Sequence, residues 1–265
     1  MAKVFTVLNE KGGVGKTTTV IHLAHGMALL GYKTLIIDSD GQGNASLNLG
    51  LPRGDDLYTL ILQAGARTLS DTVFKTGRAN LDVLRSDPTT ADLKVKLSRL
   101  NDDRQYVIST ILENNTYDVV FIDCPPSVDV LMPASVVAAD YLIIPTTCTQ
   151  NSVIGMQDLM DQLNALKEFT TCEIAGILPT RVDLVKTEGL MQLKNIYDLY
   201  PQWLWSPIPQ DANCEKLERI GMTFWEYMPK TRAMVGFDNG EKIKGGGYIH
   251  TLKHILRTYF GRDQF

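Results

Sequence analysis

The nine residues Glu10–Thr18, with the sequence EKGGVGKTT, have the types and spacing best suited to chemistry in this chain. Glycines let backbone N–H groups approach an anion closely, because no Cβ atom stands in the way. Lys16 is placed to reach β- and γ-phosphate oxygens, and the Thr17 hydroxyl is placed to ligate Mg²⁺. We predict that bound phosphates contact Gly12, Gly13, Val14, Gly15, Lys16, Thr17 and Thr18.

The flanking residues predict the strand and the helix that such a loop needs. The apolar run Val4–Leu8 precedes it, and apolar residues at helical spacing follow it until Gly31. The N-terminal end of that helix would point its positive dipole at the same anion. This context favours a phosphate cradle over the alternative, a glycine-rich turn with unrelated lysines.

Further apolar runs predict a sheet whose strands alternate with helices. The predicted strands are Thr34–Ile37, Leu81–Leu84, Val119–Ile122, Tyr141–Ile144, Ile174–Leu178 and, more weakly, Leu204–Ile208. The predicted helices after the first are Thr90–Leu100, Tyr106–Glu113, Gly155–Phe169 and Leu190–Leu199. Nearly continuous apolar strands are typical of a parallel sheet that is buried on both faces. The pattern predicts one α/β domain over residues 1–265, with a doubly wound, mostly parallel sheet and helices on both faces.

Carboxylates follow two of these strands where ligands bind in open α/β sheets. Asp38 and Asp40 end the second run, and their side chains share one face because they are two residues apart. Asp123 ends the run at 119–122 and is placed to contact Mg²⁺ through water. The alternatives are capping of a helix at 45–49 by Asp38 or Asp40, and a structural role for Asp123.

Three motifs resemble those of the ParA/MinD family of P-loop ATPases. Lys11 precedes Gly12, and Glu10 stands where the common phosphate loop has glycine, as in the deviant Walker A motif of that family. Asp38–Asn44 resembles its D-x-D-x-Q-G-N pattern, and Asp123–Ser127 matches its D-C-P-P-S pattern. The resemblance covers nearly the whole chain and implies the P-loop fold, ATP and Mg²⁺ as cofactors, and ATP hydrolysis.

The resemblance also implies roles for individual residues. Lys11 would contact the nucleotide of the partner subunit in an ATP-dependent sandwich homodimer, and Lys16 would act on the phosphates of its own subunit. Asp40 would orient the attacking water, while Thr17, Asp38 and Asp123 would serve the Mg²⁺ site. Catalysis would therefore depend on Lys11, Lys16 and Asp40. Two further family-like segments, Gly176–Asp183 and Ile208–Asp211, assign adenine contacts to Thr180 and Pro209.

A basic region near the C-terminus predicts a surface for a polyanion. Residues 227–265 contain seven Lys or Arg and three Asp or Glu, although the net charge of the whole chain is −4. The segment Pro229–Arg232 resembles an element through which ParA proteins bind DNA without sequence preference, whereas Gln210 departs from the arginine of many relatives. The candidate DNA contacts are Lys216, Arg219, Lys230 and Arg232, followed by Lys242 and Lys244. The alternative is that these charges only solvate the surface.

The segment Ile249–Phe260 predicts an amphipathic helix with a basic side. MinD-like relatives end in such a helix and use it to bind lipid. We favour the other interpretation, a terminal helix that docks on the sheet, so a membrane partner is not expected.

Size and composition favour a cytoplasmic protein, and the resemblance to ParA proteins implies association with the nucleoid. No apolar stretch reaches the roughly 18 residues of a membrane span, and the first strand follows Met1 too closely for a signal peptide. The four cysteines are widely spaced, which favours free thiols in a reducing compartment. The short N-terminus resembles family members without an N-terminal helix-turn-helix.

Three functions are therefore compared. The first is a ParA-like ATPase that positions a plasmid, a chromosome region or a protein cargo, with hydrolysis stimulated by a ParB-like adaptor. The second is a MinD-like membrane switch. The third is a metabolic ATP-dependent ligase or synthetase that shares the loop, and the motifs at 42–44 and 123–127 favour it least.

Overall fold

The computed structural model describes residues 2–63, 65–97, 104–127, 130–183, 185–237 and 245–263. Within these ranges a seven-stranded sheet has the order β3-β4-β2-β5-β1-β6-β7. The strands are β1 (Lys3–Val7), β2 (Thr34–Asp38), β3 (Phe74–Lys75), β4 (Leu81–Leu84), β5 (Val119–Asp123), β6 (Tyr141–Thr147) and β7 (Glu173–Thr180). Every pairing is parallel except that of β3 with β4, which confirms the predicted mostly parallel α/β sheet.

Helices follow the strands and cover both faces of the sheet. They are α1 (Lys16–Leu29), α2 (Asn44–Asn48), α3 (Asp56–Leu62), α4 (Leu69–Thr72), α5 (Asp92–Leu97), α6 (Val107–Leu112), α7 (Leu131–Val137), α8 (Gln150–Ala165), α9 (Thr187–Leu199), α10 (Asn213–Ile220), α11 (Phe224–Tyr227), α12 (Arg232–Val235) and α13 (Gly247–Phe260). Short 3-10 turns precede α5 and α6, at Pro88–Ala91 and Arg104–Tyr106. The end of the helix predicted at Thr90–Leu100 lies partly outside the described residues.

Successive side chains of each strand enter different cores, as the pleat requires. Phe5 and Val7 of β1 pack in a core with α1 and α13, whereas Val4 packs in a second core with Leu57 of α3. Because the central strands are covered on both sides, their sequences are apolar at nearly every position. The rigid sheet that results fixes the positions of the loops at its carboxyl edge.

The weakest predicted strand, Leu204–Ile208, is wrong. This segment runs beside β7 and makes single bridges at Leu204 and Pro209, with no continuous ladder between them. Pro207 and Pro209 have no N–H group to donate, so a continuous strand cannot form there.

The amphipathic C-terminal helix docks on the protein body, as the favoured interpretation predicted. Leu252, Ile255 and Leu256 of α13 are buried, and the ring of Tyr259 lies 4.2 Å from that of Tyr141. The apolar side of α13 therefore packs in the hydrophobic core. Among the residues described, no helix combines the length and apolar character that crossing a membrane requires.

Candidate nucleotide site

A cleft of about 780 Å³ opens at the carboxyl edge of the sheet. The predicted phosphate loop lines one side, together with Asp40 and Pro126. Thr180, Pro209 and residues from α10 line the other side. The loop between β1 and α1, the loop after β2 and the segment beside β7 thus bring predicted site residues into one cavity.

Backbone donors in the phosphate loop are available to a ligand. Gly13 and Gly15 have φ values of 73° and 85°, a left-handed conformation that glycine adopts without a Cβ penalty. Within the described part of the chain, no hydrogen bond to a protein acceptor involves the N–H groups of residues 12–15. Helix α1 begins directly afterwards, with a glycine rather than a side chain at its N-cap. This arrangement fits an anion at the helix N-terminus.

Lys16 lies buried beneath this loop. Its Nζ donates to the carbonyl oxygens of Asn9 at 2.9 Å and Lys11 at 3.3 Å. Burial lowers the pKa of Lys16, and the charge of Asp123 opposes that shift. The ammonium is thus held at the loop.

Asp38 and Asp123 occupy directly opposite positions on the neighbouring strands β2 and β5. Both are almost completely inaccessible to solvent. Burial raises the pKa of each carboxyl group, that of Asp123 to about 7, and the Asp123 charge contributes to the shift at Asp38. Two buried carboxylates side by side repel each other unless a cation lies between or beside them.

The carboxylates of Asp38 and Asp123 differ in the hydrogen bonds that they accept. Asp38 accepts hydrogen bonds from the N–H groups of Asp40 and Ala45, at 3.2 and 3.0 Å. The helix-start contact that the alternative interpretation predicted is therefore present at Asp38, while its Mg²⁺ role stays a prediction. Neither oxygen of Asp123 has a hydrogen-bond partner in the described structure, although the Thr17 hydroxyl approaches and opposes the pKa rise.

The orphaned carboxylate of Asp123 supplies the test of fit for Mg²⁺. A hydrated Mg²⁺ beside Thr17 would satisfy both oxygens and remove the like-charge repulsion with Asp38. The described residues contain no group of three or more His, Cys, Asp or Glu side chains suited to a metal. Water and phosphate oxygens would thus supply most ligands, which is how Mg²⁺ commonly binds. The residues present fit the ion on these terms.

Asp40 lies at the edge of the cleft, where it accepts a hydrogen bond from the N–H of Gln42. One carboxylate oxygen of Asp40 is thereby oriented, and the other has no hydrogen-bond partner among the described residues. The group is within the cavity, as its predicted role with water requires.

Lys11 points away from the cleft of its own chain. Its Nζ donates to the hydroxyl oxygens of Thr149 and Ser152, each at 2.9 Å, at the start of α8. It is not among the residues that line the cavity. The two lysines of the loop are therefore separated: Lys16 stays with the loop, and Lys11 reaches sideways.

Thr180 and Pro209 both line the cleft, and the described structure shows the protein contacts of each. The Thr180 hydroxyl donates to the carbonyl of Val14 at 2.7 Å, so it holds the phosphate loop. Pro209 is buried beside Val182 of the segment after β7. The adenine contacts of these residues stay predictions.

Sequence reasoning gave no role to three residues that contact the phosphate loop or the start of α1. The Asn9 side chain accepts a hydrogen bond from the N–H of Lys11 and donates one to the Pro145 carbonyl. Arg181 donates a hydrogen bond to the Gly13 carbonyl at 3.1 Å. Glu218 accepts a hydrogen bond from the Thr18 hydroxyl at 3.1 Å. Arg181 directly follows the carboxyl end of β7, which was a usable signal. Glu218 lies 200 positions from its partner, and no local pattern indicated that contact.

The four strongest DNA candidates are all exposed and lie on or beside α10 and α12. We call Lys216, Arg219, Lys230 and Arg232 the basic surface. Lys216 lies over the ring of Tyr227 at 5.2 Å, and Arg232 lies over that of Phe237 at 5.5 Å. Lys242 and Lys244 lie outside the described residues.

Helix α10 connects the basic surface to the cleft. Glu215 and Glu218 on this helix line the cavity, whereas Lys216 and Arg219 are exposed. The side chains of one helix thus contact the phosphate loop and carry two of the candidate DNA contacts.

Comparisons with known proteins agree with these features. A family model described as an AAA domain matches residues 2–176. The chromosome partitioning protein ParA of Caulobacter vibrioides is 35% identical over 188 residues, which cover 68% of this chain and 70% of that protein. The sporulation initiation inhibitor protein Soj of Bacillus subtilis is 27% identical over 256 residues, which cover 93% of this chain and 100% of that protein.

Two solved structures share the fold. The ATP complex of Cyanothece McdA has a TM-score of 0.80 at 20% identity, covering 100% of this chain and 98% of that chain. Cobyrinic acid a,c-diamide synthase from Mycobacterium smegmatis, with a bound ATP analogue and magnesium, has a TM-score of 0.73 at 26% identity. That match covers 86% of this chain and 97% of the synthase chain.

Proposed function

The chain belongs to the ParA/Soj family of partition ATPases, and on that basis we propose that ATP joins two copies into a sandwich dimer that binds DNA without sequence preference. The dimer positions or segregates a plasmid, a chromosome region or a protein cargo. An adaptor protein, ParB-like or of another kind, stimulates hydrolysis and thereby releases the dimer from DNA.

As a member of this family, the protein is an ATPase that uses ATP and Mg²⁺. In the proposed mechanism the N–H groups of residues 12–18 and the Lys16 ammonium hold the phosphates. Asp40 orients the attacking water, while Thr17, Asp38 and Asp123 hold hydrated Mg²⁺, which neutralises phosphate charge when bound. No side chain becomes covalently attached to phosphate.

The position of Lys11 carries the dimer proposal. Its ammonium lies outside its own cleft, held by two neutral hydroxyl groups at the N-terminal end of α8. A cation is disfavoured at that end of a helix, so this resting place is easily exchanged for a phosphate. Nucleotide in a facing copy supplies such a phosphate. In the dimer, the Lys11 ammonium of each copy would thus neutralise phosphate charge in the other copy.

The basic surface and α10 support the DNA half of the proposal. A few exposed cations bind phosphates in any sequence, with an affinity that falls as salt rises. The Thr18–Glu218 contact gives the nucleotide a physical route to α10. Binding to DNA would then depend on ATP, and the protein would be cytoplasmic and associated with the nucleoid.

Two other functions can be compared with this proposal. The fold of the M. smegmatis synthase favours an ATP-dependent ligase, which would transfer phosphate to a small acceptor. A MinD-like membrane switch would use the basic amphipathic α13, but the apolar side of that helix packs in the core. The partition ATPase accounts for Lys11 and for the basic surface together.

The test uses the full chain with Asp40→Ala, which removes the group proposed to orient water. With ATP and Mg²⁺ this variant should form a dimer in light scattering and should pellet with DNA but not with anionic liposomes. The matched control, Asp40→Ala with Lys11→Ala, should bind ATP and stay monomeric. An Asp40→Ala protein that binds ATP yet stays monomeric and ignores DNA contradicts the proposal. Liposome pelleting would favour the membrane switch instead.

A further inference from the structure

Arg181 has a backbone conformation that an arginine seldom adopts. Its φ is 53°, in the left-handed region, and the only other non-glycine residues with positive φ in the described structure are Asn80 and Asn114. Asparagine is common in this region because its short side chain is tolerated, whereas a long side chain is strained there. Such strain is retained where the surrounding structure requires it, often at a functional site.

The guanidinium of Arg181 returns to the phosphate loop. Its Nη1 donates to the carbonyl of Gly13, and the hydroxyl of the preceding Thr180 donates to the carbonyl of Val14. Thr180, the last residue of β7, and Arg181, the residue after it, therefore hold two consecutive carbonyls of the loop. We call this pair of contacts the clamp.

The clamp fixes the directions of two peptide planes. In a trans peptide the C=O and the N–H point to opposite sides, so the Gly13 carbonyl determines where the Val14 N–H points. The Val14 carbonyl determines the direction of the Gly15 N–H in the same way. Neither N–H group has a protein acceptor in the described residues, and Arg181 and the loop line the same cleft. The free donors thus face away from the clamp.

We infer that Arg181 is a positioning residue of the nucleotide site: its guanidinium holds the Gly13–Val14 peptide so that the loop presents its N–H groups to a nucleoside diphosphate or triphosphate. The left-handed backbone is what lets the side chain reach back across the loop. Asparagine or glycine would suit the turn better but would not reach the Gly13 carbonyl. The strain is therefore offset by a contact that only a long donor makes.

The inference rests on the nucleotide-binding half of the proposed function and on none of its DNA half. The exposed guanidinium lies in the same cleft as Asp211, Glu218 and the phosphate loop. Its positive charge would further favour the anionic ligand, and that contribution should weaken with salt.

The test is titration of the full chain with fluorescently labelled ADP and with ATP in the presence of Mg²⁺. Arg181→Asn keeps a residue that tolerates the left-handed backbone and removes the guanidinium, so the fold should melt at or above the wild-type temperature. We expect the dissociation constant for both nucleotides to rise about tenfold, the effect typical of removing one hydrogen bond from a charged donor. Arg181→Gly should weaken binding to the same extent, and Arg181→Lys should recover part of the affinity.

A double-mutant cycle with Thr180→Val then tests the clamp as a unit. Because both residues act on adjacent peptides, their effects on nucleotide affinity should be non-additive. Wild-type affinity in Arg181→Asn overturns the inference, and so does a lower melting temperature with unchanged affinity, which would assign Arg181 to the fold alone. A wild-type protein that binds nucleotide but never DNA would overturn the partition proposal and leave the role of Arg181 intact.

Discussion

The phosphate end of the cleft and the basic surface hold charge in opposite ways. At the phosphate end, Lys16, Asp38 and Asp123 are buried and each has one fixed position in the sheet or the loop. On the basic surface all four cations are exposed. Lys216 and Arg232 lie over aromatic rings, and Arg219 lies one helical turn from a carboxylate. At the phosphate end, function should depend on the exact position of each charged group. On the basic surface, DNA binding should depend on how many positive charges are present.

This contrast determines how each region responds to substitution. A buried charge cannot move without leaving another charge uncompensated, so a single substitution there has a large effect. An exposed cation is screened and replaceable, so its removal has a small and nearly additive effect. Substitutions at the phosphate end should therefore have the largest effects, and those on exposed groups the smallest.

Asp123→Asn should separate function from stability at the phosphate end. The amide keeps the shape and removes the charge proposed to serve Mg²⁺, so hydrolysis should fall about 10²–10³-fold, as for other preorganised groups. Without nucleotide, burial disfavours the Asp123 charge by more than the Thr17 hydroxyl and the Lys16 charge favour it, so removing that charge should raise the urea midpoint at pH 8. ATPase assays and urea unfolding of the two proteins measure both effects.

The control is Asp198→Asn, which changes an exposed carboxylate paired with Lys194 on α9. It should leave hydrolysis and the urea midpoint close to wild type. If Asp123→Asn hydrolyses ATP within threefold of wild type, the Mg²⁺ site does not depend on this carboxylate and the phosphate end is misassigned.

The contact between α1 and α11 should be sensitive to acid through His22. Its Nδ1 contacts the Thr18 carbonyl at 2.7 Å, and its Nε2 accepts from the Phe224 N–H at 3.1 Å. Since a carbonyl can only accept, Nδ1 carries the proton, and protonating Nε2 would break the bond to α11. Burial lowers the pKa of His22 to about 4; nearby His25 favours the neutral form and Glu226 opposes it.

The direction of the change in stability with pH follows from the difference between the pKa of His22 in the folded and in the unfolded protein. Above pH 6.5 His22 is neutral in both the folded and the unfolded protein, so its contribution is complete. As the pH falls from 6.5 towards 4, only the unfolded state takes up the proton, and stability falls by up to about 3 kcal/mol. His22→Gln should flatten this part of the profile in urea unfolding. Parallel wild-type and variant profiles between pH 7.5 and 4.5 would exclude the prediction.

The sequence was informative where chemistry depends on local order. Strands buried on both faces are contiguous apolar runs, so their carboxyl ends, with Asp38 and Asp123, could be located without a structure. The phosphate loop was equally clear, because its donors are backbone groups of successive residues.

The sequence was weak where the determinant is distant or subtle. The two-residue edge strand β3 was missed, and α8 begins at Gln150 rather than at Gly155, because a short or exposed first turn has no apolar periodicity. The contacts of Thr180, Arg181 and Glu218 with the loop join segments far apart in the chain. Only the packing of β7 and α10 against the loop brings them together.

Single neutralisations on the basic surface should have modest and additive effects. Lys216→Ala, Arg219→Ala, Lys230→Ala and Arg232→Ala should each weaken ATP-dependent DNA binding several-fold at any sequence. Each cation that binds a phosphate contributes about one to the slope of log affinity against log salt, so each removal should lower that slope by about one. Lys194→Ala on α9 is the control and should leave the slope unchanged. A tenfold preference for one DNA sequence would contradict binding that depends only on the number of cations. An unchanged salt slope in all four variants would contradict it as well.

The smallest effect is expected where Lys11 rests. Thr149→Val with Ser152→Ala removes both hydroxyl groups that accept hydrogen bonds from the Lys11 ammonium. The ammonium then loses no protein contact when it binds the nucleotide of a facing copy. Because the Lys11 ammonium is partly exposed, water replaces most of what these two hydrogen bonds contribute, so the ATP concentration at half-maximal dimerisation should fall only about threefold. Light scattering against ATP concentration, in an Asp40→Ala background that blocks turnover, measures it. The Ser152 hydroxyl also contacts the hydroxyl of Thr147, so the control is the same pair of changes with Lys11→Ala, which should abolish the gain if it acts through that lysine. A dimer that instead needs more ATP without these hydroxyl groups would place Thr149 and Ser152 in the interface itself, and Lys11 would then resemble Lys16 in being fixed rather than released.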